Sequence, residues 1–121
     1  MGVFEDLAVI PPQPIWDGLL ARAVHGQQIT LAVVEVDAGA DLPEHAHGNE
    51  QAGIVVRGSL ELRVGEEERT VAPGGTYVIP SGVPHAGRGG PEGAVVVDVF
   101  APPRADWEAV ARQDPHAPRW P

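Results

Sequence analysis

Glycine and proline interrupt this chain so often that no long helix has room to form. Among 121 residues there are 15 glycines and 13 prolines, and turn signals recur every eight to twelve residues through the central part. Glycine opens backbone conformations closed to other residues, and proline breaks helix interiors. The stretches between them therefore read as short strands. Ile29 to Val36 is apolar on both faces, as in a strand covered on two sides. Leu60, Leu62 and Val64 alternate with Glu61 and Arg63, the period of a half-exposed strand. Further strands are expected at Leu19 to Val24, Pro43 to His47, Gln51 to Arg57, Arg69 to Ala72, Thr76 to Pro80 and Ala94 to Phe100. Gly58-Ser59 is expected to turn the chain back, and Gly65 to Glu68 to form a charged hairpin tip. Pro11 to Pro14 reads as an extended connector, Ala105 to Arg112 as about two turns of helix, and residues 113–121 as a tail. Many short strands imply an all-β sandwich or small barrel, whose closure removes exposed edges and encloses a lumen. The length suits a single domain over residues 1–121, with a barrel core from about 29 to 100.

Composition narrows the partners. Seventeen acidic residues against eight basic ones give a net charge of −9, and no cluster of Lys and Arg appears. Nucleic acids and anionic membrane surfaces are met by basic patches, so neither is expected as a partner. The absence of cysteine removes disulfides, thiolate chemistry and thiolate zinc sites. No signal-like start and no apolar run of membrane-spanning length is visible, so a cytoplasmic location is expected.

Three of the five histidines fall in two short segments, His45-x-His47 and His85. On a strand, residues i and i+2 share a face about 6.6 Å apart, a separation that lets two imidazoles converge on one ion. His25 and His116 lie where solvent exposure is expected, at a hairpin tip and in the tail.

At these residues the sequence resembles the cupins. Gly39, His45, His47, Gln51 and Gly58 keep the spacing of the first cupin motif, and Gly74, Pro80, Gly82, His85 and Gly89 that of the second. Gln51 stands where most cupins have Glu, and Gly89 where they often have Asn. The resemblance implies a double-stranded β-helix, the cupin jelly-roll barrel, with one divalent metal ion inside. Within the cupins, the chain is similar to a small single-domain group that includes the pectin-degradation, KdgF-type proteins. Two segments carry this similarity: Glu50-Gln51 through Gly58, and the closing Asp98, Phe100, Pro102, Pro103, Arg104, Asp106 and Trp107. In that group the metal ligands are three His and one Gln, which implies His45, His47, Gln51 and His85 here. The Asp, Phe and Arg of the closing segment serve the substrate there, which implies catalytic roles for Asp98, Phe100 and Arg104.

The residues themselves leave alternatives. A straight chain would carry Gln51 about 13 Å from His47, so Gly48-Asn49 must fold it back. Neighbouring strand positions face opposite ways, so Gln51 and Glu50 compete for the inward position, and a bulge would exchange them. Three imidazoles and an amide leave the ion its full charge, which favours Lewis-acid work on an anionic or carbonyl substrate over oxygen chemistry. Zinc, iron, nickel, manganese and copper all suit such donors. Asp98, charged among Val95, Val96, Val97 and Val99, is expected to be a pocket acid–base group or a carboxylate paired with Arg104. Arg104 reads as a carboxylate clamp or a surface ion pair, and Phe100 as pocket wall or core. Tyr77 and Arg57 are candidates to reach the lumen, whereas Trp16, Trp107 and Trp120 are expected to pack ends or an interface. The outer valines of the last strand need cover, for which an N-terminal strand or a second subunit is expected, hence a homodimer.

The expected function is metal-dependent catalysis on a small anionic substrate bearing a carboxylate or carbonyl. The resemblance implies opening of an unsaturated uronate ring to a linear keto acid. Alternatives are another cupin isomerase, lyase, cyclase or dioxygenase, or a noncatalytic cupin that binds metal or ligand.

Overall fold

The computed structural model describes residues 3–121. Eight strands follow one another: β1 (Gln13–Trp16), β2 (Leu19–His25), β3 (Thr30–Val36), β4 (Asp41–His45), β5 (Glu50–Val64), β6 (Glu67–Val71), β7 (Thr76–Ile79) and β8 (His85–Ala101). Every pairing among them is antiparallel. The all-β expectation holds.

Two long strands make the barrel. The first half of β5 and the second half of β8 pair from Glu50↔Ala101 to Gly58↔Ala94, in a layer that continues through β3, β2 and β1 on one side and β7 on the other. Their other halves pair from Leu60↔Gly89 to Val64↔His85, in a second layer flanked by β4 and β6. The step between layers falls at Gly58-Ser59, where a reversal was expected. β5 instead bends and runs on, slipping register against β8 on both sides of Gly58. Gly58 takes a φ of +69°, and a Cβ there would lie 2.0 Å from the Gly93 carbonyl oxygen. Its missing side chain therefore permits a bend between sheets rather than a hairpin. β8 likewise starts at His85 rather than Ala94, because its glycine-rich first half lacks the alternating side chains that mark a strand in sequence.

The core lies between the layers. Ala32, Val34 and Val36 of β3 meet Ala94, Val96 and Phe100 of β8, with Val55, Leu60 and Val71 closing the stack. Each fully buried valine or phenylalanine contributes about 1.5–3 kcal/mol. Pro11 to Pro14 is not wholly a connector, since β1 begins at Gln13. The C-terminal helical segment is one short 3-10 stretch, Ala105–Ala109, not two turns. Buried Gln13 ends it by donating its amide to the carbonyls of Trp107 (2.8 Å) and Val110 (3.1 Å), groups that a longer helix would use itself.

Within the chain only part of the outer face is covered: Val95 is buried, while Val97 and Val99 stay half-buried. The N-terminal β1 lies beside β2 at the sheet edge, away from Val95, Val97 and Val99. The C-terminal tail crosses the face instead. Arg119 N–H donates to Glu35 at 2.8 Å, and Arg57 donates to the Arg119 carbonyl at 2.8 Å, so the tail straps the two partners that flank Val95. Beneath it, Arg22 and Glu35 form a buried ion pair at 2.7 Å. Arg57 is thus exposed and turned to the tail, not to the lumen.

Candidate metal centre and cavity

β4 and β8 bring the histidines together. His45 ends β4 directly opposite His85, which opens β8. His47 lies just past the end of β4, outside the strand expected to carry it, in the loop that crosses between layers. That loop is pinned: Gly82 N–H donates to the His47 carbonyl at 2.9 Å, and Ser81 Oγ donates to the Gly48 carbonyl at 2.7 Å. Asn49 donates to the Pro102 carbonyl. One ring nitrogen from each of His45, His47 and His85 lies within 4.8 Å of the others.

The tautomers follow from the backbone. Nδ1 of His45 faces the Pro43 carbonyl at 2.8 Å, Nδ1 of His47 the Asn49 carbonyl at 3.0 Å, and Nδ1 of His85 the Val83 carbonyl at 2.9 Å. A carbonyl only accepts, so each Nδ1 carries the proton and each Nε2 presents a lone pair. Nε2 of His47 and of His85 is buried with no protein partner. Burial above all holds the three imidazoles below the usual histidine pKa and so keeps them neutral. Convergent, neutral, unpaired ring nitrogens fixed by carbonyls are the donors a divalent transition ion takes. The three-histidine group can hold one.

Gln51 is inward and buried, whereas Glu50 is exposed, so no bulge exchanges them. Gln51 pairs with Phe100 and Ile79 at one register row, and the next inward row carries Asp98, Gly53 and Tyr77. Its amide lies near both His47 and Asp98, and it raises the His47 pKa and lowers that of Asp98 relative to burial alone.

Asp98 is 5% exposed. Burial pushes its carboxyl up to about 6, against the opposing pull of bonds from Tyr77 and Gln51 and the charge of Arg104. It is bonded to Tyr77, whose hydroxyl donates to Oδ1 at 2.7 Å, and not paired with Arg104. Arg104 instead forks onto Asp106 at 3.1 and 2.9 Å, and that bond holds the Asp106 carboxyl below its usual range. Its guanidinium carbon also lies 4.8 Å from the Phe100 ring centre and 4.6 Å from that of Trp107.

A cavity of about 80 Å³ is lined by His45, Gln51, Tyr77, His85, Asp98, Phe100 and Arg104, with Trp16, Trp107 and aliphatic side chains. Tyr77 reaches it as expected. Trp16 and Trp107 do more than pack the ends. The Trp16 ring meets His45 edge-on at 4.5 Å, and buried Trp107 meets Phe100 edge-on at 5.2 Å. Gly53, a glycine inside a strand, is a sequence signal of close approach. His25 and His116 are exposed, and each is tied locally, His25 to Thr30 Oγ1 and His116 through its carbonyl to Arg22.

The pectin degradation protein KdgF of Dickeya dadantii is 27% identical over 99 residues, 80% of this chain and 90% of that protein. An uncharacterised protein of Streptomyces coelicolor is 28% identical over 89 residues, 74% of this chain and 85% of that protein. The solved structure of KdgF from a Halomonas species matches with a TM-score of 0.80 at 28% identity, covering 88% of this chain and 98% of that one. No helix among the described residues is long and apolar enough to cross a membrane. The profile of the Cupin domain matches residues 32–100, a stretch that begins in β3, spans all three convergent histidines and ends at Phe100. With two sheet layers closed around that histidine group, this chain belongs to the cupin family.

Proposed function

We propose that the protein is a metal-dependent isomerase of a small carboxylated, carbonyl-forming substrate, and that its reaction is the opening of an unsaturated uronate ring to a linear keto acid. One observation carries this: a single cavity is lined by His45 and His85 of the histidine group, a carboxyl tuned to about 6 and a guanidinium. His45, His47 and His85 would hold the ion, with Gln51 as the fourth ligand. A divalent ion bound there supplies Lewis acidity toward carboxylate and carbonyl oxygens.

The remaining work falls to the chain's own groups. Arg104 offers a planar fork suited to the substrate carboxylate, once that carboxylate competes with Asp106. Phe100 and Trp107 hold the guanidinium between aromatic faces and exclude water from it. In the ring opening, the bond between the ring oxygen and the hemiacetal carbon breaks and the hemiacetal hydroxyl loses its proton. The ring oxygen keeps the bonding pair, and the resulting enolate then gains a proton at the alkene carbon and becomes the ketone. One proton leaves and one is gained, with no change in oxidation state. Asp98 suits both transfers, because a carboxyl near 6 is mostly ionised at neutral pH yet returns its proton readily. The relative named pectin degradation protein KdgF supports this substrate class.

The test is the conjugated ultraviolet absorbance of an unsaturated uronate, which ring opening and ketonisation abolish. Faster decay with the metal-loaded protein than with buffer and free metal supports the reaction; equal decay removes it. A second reading rests on the cavity wall, where Ile15, Leu19, Val34, Leu42 and Leu62 are aliphatic. That lining favours a less hydroxylated keto acid or enol, turned over by the same groups when the sugar acid is not.

A further inference from the structure

Tyr77 is the chain's single tyrosine, and the proton-transfer scheme leaves it unused. It lies on β7, with β5 between it and Asp98 on β8. Gly53 is the β5 residue paired with both. A side chain at position 53 would stand between the two groups: its Cβ would fall 2.2 Å from Asp98 Oδ1 and 2.4 Å from the Tyr77 hydroxyl. The missing side chain thus opens a slot across one strand, and the phenol lies through it to reach Oδ1 at 2.7 Å. Both partners are inside the barrel and both line the cavity.

We infer that Tyr77, threaded through the Gly53 slot, is a positioning residue that fixes the rotation of the Asp98 carboxylate and so aims its second oxygen into the cavity. A carboxylate on a single Cβ turns freely unless a directional bond holds it. Here burial removes water as the alternative partner, and the phenol hydroxyl, buried beside the carboxylate, remains a donor. The barrel spends a residue without a side chain in mid-strand, which weakens the strand, to let this bond form.

As a catalytic device, this rests on the isomerase reading above, so the experiment has two arms. In zinc-loaded protein, Tyr77→Phe keeps the ring and removes only the hydroxyl. With the uronate as substrate, kcat is expected to fall roughly tenfold to a hundredfold, with KM within about twofold and metal content unchanged. Gly53→Ala, which retains the phenol but wedges a methyl into the slot, is expected to lower kcat in the same way. Unchanged kcat in Tyr77→Phe, or a rise in KM alone, overturns the inference. The second arm needs no substrate and no loss of the ring. Fluorotyrosine incorporated biosynthetically labels position 77 alone, and its fluorine resonance is expected to move on Asp98→Asn and on Gly53→Ala. A resonance that ignores both changes overturns the inference, whether or not the uronate is turned over. If the wild type leaves the uronate unchanged while the resonance moves, the substrate assignment fails and the Tyr77–Asp98 contact stands.

Discussion

Replacing Asp98 with Asn should stabilise the metal-free protein, and by an amount that depends on pH. The Asp98 carboxyl titrates at 3.8 when unperturbed and at about 6 in the fold. Its folded pKa is raised, so between those values the native state holds a proton that the unfolded chain has released. Stability therefore falls as pH rises through this window. Below 3.8 both states are protonated and Asp98 carries no penalty; above about 6 both are ionised and the penalty is complete. A difference of about two pKa units corresponds to about 3 kcal/mol, an order-of-magnitude figure. Asn has nearly the same shape, does not ionise, and its Oδ1 accepts from Tyr77 as the carboxylate does. The wild type minus Asp98→Asn difference thus isolates the carboxyl, since every other titrating group cancels to first order.

The assay is urea unfolding of both proteins in chelator, at steps from pH 4 to pH 8. The variant is expected to gain on the wild type progressively between about pH 4 and pH 6 and to level off at about 3 kcal/mol above it. Catalysis should be lost in the same variant, because an amide neither takes nor returns the proton. A stability difference that stays flat across the range would refute the reasoning, since Asp98 would then have the same affinity for protons folded and unfolded. A difference that shrinks as pH rises would mean that donors outweigh burial.

Further outcomes are expected. The histidines have pKa values lowered by burial, so the unfolded chain binds more protons below 6.5; in chelator, urea unfolding should show stability lost as pH falls below that value and retained above it. Zinc at a thousandfold its Kd should raise the unfolding free energy by about 4 kcal/mol in the wild type, and element analysis of Gln51→Ala should show lost or weakened metal; full retention would remove Gln51 from the ligands. Gln51→Glu places a second carboxylate beside Asp98, so the pH window of the Asp98 effect should move upward, read as a shift in the same unfolding series. Arg22→Met leaves buried Glu35 with Arg119 of the tail as its remaining partner and should cost about 1–3 kcal/mol in urea unfolding, with metal content unchanged because that face lies outside the barrel.

Much of the site was legible because it is written locally. His45 and His47 are two residues apart, Glu50 and Gln51 alternate, and the apolar run before Phe100 makes Asp98 conspicuous. The strands obey the alternation at Gln51 and Asp98, whereas His47 joins His45 from the loop just past β4. The rest depends on contacts between distant strands. Gly58-Ser59 has turn composition, yet whether it reverses a strand or bends it depends on Gly93, whose carbonyl occupies the space a side chain would need. Gly53 is likewise intelligible only with Tyr77 and Asp98 on either side. The helix after Arg104 stopped early because a glutamine ninety-four positions away takes its Trp107 carbonyl. The aromatic pair of Phe100 and Trp107 became a guanidinium cradle through the turn between them, which no helical or strand periodicity describes.

The division of labour between Gln51 and Asp98 follows from their adjacency. Both sit on the inward face, one register row apart on neighbouring strands, and the amide of one lies near the carboxyl of the other. Two carboxylates so placed cannot both ionise near neutrality, because each raises the pKa of the other. A carboxylate at position 51 would reduce the charge of a bound ion and, at the same time, push Asp98 toward its neutral form. A neutral amide avoids both effects. As the proposed fourth ligand it would offer an oxygen to the ion without lowering its charge, and its bond to Asp98 favours the ionised state. Of the two positions that depart from the usual cupin pattern, Gln51 is therefore the one that, on the proposed isomerase reading, would let a buried carboxyl act as a base beside the histidine group.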